Sequence, residues 1–241
     1  MFVYLNINKA YSQSDLNIIN EPILDTTTQL NVATDFNFFK ATNRYRKATA
    51  YLPVLFTAYG FTAVANKQLQ NINLEFKEEI LEHHPFFKTK IDNYLQFSPS
   101  IIAFSMKAAG YKGQNNMFNS AKLYATSILL MAGTVKVLKS ATRELRPDGS
   151  GRNSFPSGHT ATAFAGAEFL HQEFKETSPL LCYSGYLGAT ATGVLRMYNN
   201  KHYLSDVVAG AGIGILTTKA AYLINAKLFN AKRKKVNKVV G

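Results

Sequence analysis

The chain has 241 residues, 46% of them hydrophobic, which is enough for one large domain with a sizeable core and excludes a globally disordered chain. Its single cysteine, Cys182, excludes an intramolecular disulfide and a cysteine metal cage. A formal charge of +12 calls for an anionic partner, and with no nucleic-acid-reading motif present that points to a phosphorylated substrate or an acidic lipid, with no nucleic acid.

Taken in chain order, residues 1–39 are polar and rich in Asn and Thr, and read as a disordered or extended lead-in. Its stretch FVYLNINKAYS resembles the end of a signal peptide in its small residues but lacks a basic start. From Ala48 the pattern is mostly helical, with no alternating strands and no internal repeat. Two segments of 19 residues, 48–66 and 177–195, carry no charge, and shorter apolar stretches occupy 98–106, 123–135, 160–167 and 207–218. No run reaches the clean 18 apolar residues of an obvious membrane span, and mean hydropathy is −0.09, so hydropathy alone leaves membrane and soluble forms open.

The second half of the chain lays out a geometry. One helix is expected over 119–145, ending at Arg146-Pro147. The next, over 157–174, spans about 27 Å, and after a turn at 176–179 the chain returns through 180–195 over about 24 Å. The loop 196–202 therefore comes back to the end where Ser157 lies. Only eleven residues link Arg146 to Gly158, so the helix before Arg146 finishes at that end too. Three separated pieces of sequence converge.

Each piece carries chemistry. Ser157 is placed to cap a helix whose first turn holds Gly158 and His159, and a helix N-terminus with free N–H groups suits a bound anion. Alone, PSGH reads more simply as a capped helix. Lys136, Lys139, Arg143 and Arg146 fall at helical spacing and predict a basic stripe. His202 and Asp206 are four apart, so a carboxylate can hold one imidazole nitrogen and free the other. With Arg196 nearby, two histidines, an aspartate and at least three cations suit phosphoryl transfer. No P-loop follows the glycine-rich DGSG. A metal site is the rival: Glu168 and His171 stand at di-iron spacing and Glu79 and His83 are four apart, but the second Glu-x-x-His pair is missing, so no metal and no cofactor are expected.

The segments KSATRELRP, PSGH and RMYNNKHYLSD, in this order and spacing, resemble the three motifs of the type 2 phosphatidic acid phosphatase superfamily, over residues 119–228. The resemblance implies an all-α helical bundle with about six core helices and the active site at one end. It also implies a metal-independent phosphatase that hydrolyses a phosphomonoester or diphosphate through a phosphohistidine. In it His202 attacks phosphorus, oriented by Asp206. His159 protonates the leaving oxygen and then activates water. Lys139, Arg146, Ser157, Gly158 and Arg196 hold the phosphate oxygens. Leu195 departs from the pattern, since serine is usual before the arginine.

The superfamily leaves three branches: membrane lipid phosphatase, soluble class A acid phosphatase and vanadium haloperoxidase. Charge placement favours the membrane branch. With six helices crossing a bilayer, the basic segments 40–47, 107–112 and 232–238 all lie opposite the site, while the loop 67–97 on the site's side mixes acids and bases. The expectation is a bacterial-type inner-membrane protein with its site facing the periplasm, a soluble periplasmic form being the alternative. Its partner would be a phosphorylated lipid, and the oligomeric state is left open. The corresponding division is a lead-in over 1–39, a phosphatase bundle over 40–230 and a basic tail over 231–241.

Overall fold

The computed structural model describes the backbone of residues 43–240 and the side chains of residues 51–227. Among the described residues there are eight helices and no strand: α1 Asn43–Ala65, α2 Lys67–His83, α3 Ile91–Leu95, α4 Ser98–Ala108, α5 Met117–Thr142, α6 Gly158–Phe174, α7 Pro179–Tyr198 and α8 Leu204–Val240. The fold is an all-α bundle, as expected. The lead-in 1–39 lies outside the described residues, as do the side chains of the basic tail.

Helix α6 is the axis of the bundle, buried almost all round because its residues are small where neighbours approach: Ala161, Ala163, Ala165, Gly166 and Ala167 lie inside. Helices α4, α5, α7 and α8 pack around it. The tightest crossing is with α8. A Cβ on Gly210 would stand 2.6 Å from the Ser157 carbonyl, and one on Gly214 would overlap the Ala161 carbonyl. Only glycine lets these two backbones meet. Away from the site, Phe169, Leu170 and Phe174 close the core with Ala103 and Cys182. Each such large side chain is worth about 1.5–3 kcal/mol of burial.

Local chemistry sets the helix boundaries. The Asn66 side chain accepts from Gln68 N and Leu69 N, ending α1 and starting α2. The segment 67–97, read from sequence as a loop, is therefore largely helical. Ser157 caps α6 through Thr160 N, at the predicted position. Helix α5 stops three residues early, because Arg143 takes the left-handed conformation at φ 49°. That corrects the predicted basic stripe: Lys136 and Lys139 lie on α5, whereas Arg146 arrives through a turn closed by its N–H to the Gly151 carbonyl at 2.9 Å.

The buried acids away from the site are paired. Glu173 meets Lys107 at 2.7 Å, Tyr222 at 2.5 Å and Ser120 at 3.0 Å. Glu168, half of the rival metal pair, is engaged by Tyr186 at 2.5 Å, Gln172 at 2.6 Å and Lys219 at 3.2 Å.

Candidate active site

The three converging pieces meet at the N-terminal end of α6. The Ser157 N–H donates to the Asp206 carbonyl at 3.0 Å, stitching the α6 entrance to the first turn of α8. Ser157 Oγ pairs with Thr160 Oγ1 at 2.9 Å, which directs the cap inward and leaves Gly158 and His159 at the mouth of the helix. On the opposite wall, Lys139 donates to the Ser154 carbonyl at 3.1 Å and to the Asn153 carbonyl. The side chain of Asn153 in turn accepts from Arg146 Nε at 2.6 Å. Arg146 is close enough to Arg196, Asp148 and Asp206 for their charges to act on it, burial and the Arg196 charge pulling its pKa down.

Arg196 sits in the last turn of α7 and is buried. The chain then turns through Asn200, at φ 55°, and delivers His202 just before α8. His202 is 3% exposed, and its Nδ1 lies 3.2 Å from Asp206 Oδ2. The same oxygen accepts from Ser154 Oγ at 2.5 Å and from Tyr203 N at 3.0 Å. Asp206 is thus locked from three directions, and the imidazole presents its Nε2 as the remaining nitrogen. Burial lowers the His202 pKa to about 4 against the opposing pull of Asp206, with Lys139 and Arg196 pushing the same way as burial. The ring is therefore neutral near pH 7.

Several residues of this site were not singled out from sequence. Asp92 Oδ2 takes Arg196 Nη1 at 2.6 Å, and Asn93 Oδ1 takes His159 Nε2 at 2.8 Å, both from the short helix α3. Ser154 lies between motifs, and Glu144 lies inside KSATRELRP at a position given no role from sequence. Asn73 on α2 grips Ser205 at both ends of its amide, at 2.7 and 3.1 Å. These contacts span up to 132 residues, and no local spacing announces them. At Leu195, where serine is usual, Arg196 Nε has no partner, and the guanidinium is held by Asp92 instead.

Two cavities flank the site. One, of about 780 Å³, is lined by His84, Lys88, Lys90, Asn93, Arg196 and Lys201. The other, of about 530 Å³, runs from Met131 and Val135 to Lys139, Gly158 and His159, so it is apolar at one end and cationic at the other.

A helical bundle with this site defines a class. Residues 120–230, a little under half of the chain, match the PAP2 superfamily. A lipid A 1-phosphatase of Porphyromonas gingivalis is 43% identical over 144 residues, 59% of this chain and 32% of that protein, so the match spans about a third of the relative's length. The transmembrane PAP2 type phosphatidylglycerolphosphate phosphatase of Bacillus subtilis shares the fold, with a TM-score of 0.52 and 19% identity over 73% of this chain and 97% of that one. Aquifex aeolicus LpxE overlays with a TM-score of 0.43 and 23% identity, over 60% of this chain and 93% of that one.

Proposed function

We propose that the protein is a metal-independent phosphatase that hydrolyses the phosphate of a membrane lipid through a phosphohistidine. The observation that carries this reading is the buried His202–Asp206 pair at 3.2 Å, facing Lys139, Arg146, Arg196 and the start of α6. The lone pair of His202 Nε2 attacks phosphorus as the bond to the leaving oxygen breaks, and Asp206 stabilises the imidazolium that forms. The cations and the Ser157–Gly158 end of α6 neutralise the equatorial oxygens, where charge gathers. His159 gives its proton to the leaving oxygen. It then takes one from water, which breaks the P–N bond and releases inorganic phosphate.

Lipid specificity is supported by the perimeter of the bundle. Two helices, Met117–Thr142 and Leu204–Lys227, are long and apolar enough to cross a membrane, and Leu129 and Leu187 lie over 70% exposed on its flanks. A substrate of the lipid A kind is favoured by the named activity of the Porphyromonas relative. The basic segment 107–112 falls at the end of α4 opposite the site, which supports a site facing the periplasm from the inner membrane.

Trapping tests the chemistry. Quenched turnover of labelled substrate, with chelator present, leaves acid-labile phosphate on the wild type and none on His202→Ala. Equal labelling of the two proteins, or activity that returns only with added divalent metal, would overturn the mechanism.

A further inference from the structure

Glu144 stands two residues beyond the end of α5, inside the motif that supplies Lys139 and Arg146. Its backbone carbonyl accepts from Ser154 N at 3.0 Å, the residue whose Oγ donates to Asp206 Oδ2, and its side-chain carboxyl is near enough to that of Asp206 for each to act on the other. The two groups have complementary needs. Asp206 Oδ2 is taken up by Ser154, Tyr203 and His202, but Asp206 Oδ1 is buried without a partner. Glu144 Oε2 is likewise buried without a partner. Two ionised carboxylates have only acceptors and repel at this range, so a buried contact of this kind holds a proton.

The proton belongs on Glu144. Asp206 receives three donors on one oxygen, which favours its anion, whereas the charge that opposes protonation of Glu144 comes from Lys139 on α5 alone. From the α8 side Glu144 faces Asp206 and Tyr203, with His202 behind Asp206. We propose that Glu144 is a positioning residue, a neutral carboxylic acid whose O–H donates to Asp206 Oδ1 and so holds Asp206 ionised and aligned behind His202. The proposal rests on His202 being the nucleophile. It adds that three residues in line set its tautomer: Glu144, Asp206 and His202.

A pH dependence follows. Burial, and after it the Asp206 carboxylate, push the Glu144 carboxyl up to about 8. Below that pH the donor is in place. Above it Glu144 ionises, the contact becomes repulsive, and Asp206 is displaced from His202. Neutral Gln keeps an N–H donor at the same position and cannot ionise.

The test compares wild type, Glu144→Gln and Glu144→Ala for phosphate release from a phosphorylated lipid in mixed micelles. Wild-type kcat is expected to fall at least about tenfold from pH 7 to pH 9, as Glu144 loses its proton. Glu144→Gln should fall several-fold less than wild type over that range, and Glu144→Ala should be slow at both values. A Glu144→Gln variant that melts as wild type does but keeps the same alkaline fall would overturn the proposal. Infrared difference spectra of wild type against Glu144→Gln read the proton without turnover. A protonated-carboxyl stretch is expected at pH 7, bleaching near pH 8, and its absence would also overturn the proposal. Wild-type protein that releases no phosphate would instead refute the proposed function, while the infrared comparison would still decide where the proton lies.

Discussion

Asp92 and Arg196 meet at 2.6 Å with side chains 1% and 9% exposed, and under the proposed function the same guanidinium would hold a phosphate oxygen. A carboxylate there both positions Arg196 and competes with the substrate's charge. Asn93 positions His159 in a similar way, since its Oδ1 lies 2.8 Å from Nε2. Replacing Asp92 by Asn keeps an acceptor for Arg196 but removes a negative charge a few ångströms from the bound oxyanion. Asp92→Asn should therefore bind vanadate, a mimic of five-coordinate phosphorus, about tenfold more tightly. Its Tm should fall, because the loss of one partner of a buried ion pair is destabilising. Titration of inhibition by vanadate, beside a thermal melt, reads both. Unchanged or weaker vanadate binding would mean that Asp92 serves Arg196 only as a brace.

At the scale of elements, the site depends on how closely α8 lies against α6. Asp206 is two residues into α8, and its carbonyl accepts from Ser157 N, so any change in the α6–α8 separation moves the partner of His202 relative to the start of α6. Gly210 is the closest approach on this seam that stands one turn from Asp206. A methyl there would press at 2.6 Å on the Ser157 carbonyl and at 3.3 Å on Thr160 Cβ, neither of which can yield without shifting the cap. Gly210→Ala should cost about 1–3 kcal/mol of stability and lower kcat, despite the better helix propensity of alanine. Thermal unfolding and steady-state rates measure it, and a rise in Tm would show that the seam has slack. Pairing of Asn73 with Ser205 ties α2 to the same turn, which explains why a helix outside the motifs belongs to the site's support.

For the whole molecule, the exposed apolar residues of α1, α5 and α7 and the two flanking cavities suggest how a lipid would be handled. The cavity that runs from Met131 to His159 is apolar at one end and cationic at the other, which under the proposed function would take an acyl chain and its phosphate. Binding energy from the chain can then be used in the transition state, so kcat/KM should be far higher for a phosphorylated lipid than for a short phosphomonoester in the same micelles. The protein should also stay with the membrane fraction after a high-salt alkaline wash. Comparable rates on both substrates, together with release into the soluble fraction, would favour a soluble acid phosphatase.

Sequence by itself determined the all-α class and the order of the helices from α5 to α8, and it singled out the residues proposed to react. Turn residues and caps are local, so Ser157 and the 176–179 turn were legible. Helix length at a constant rise per residue was enough to bring Lys139, Arg146, His159, Arg196, His202 and Asp206 to one end. The end of α5 escaped this reasoning because Arg143 adopts a left-handed backbone that few non-glycine residues take, a choice made by the packing around it. Tertiary structure alone decided the partners. Whether a carboxylate meets a cation, another carboxylate or a histidine depends on which helix faces which, and hydrogen bonds between α3 and α7, or between the α5–α6 loop and α8, leave no periodic trace. Asp92 on Arg196, Asn93 on His159 and Glu144 on Asp206 are of that kind.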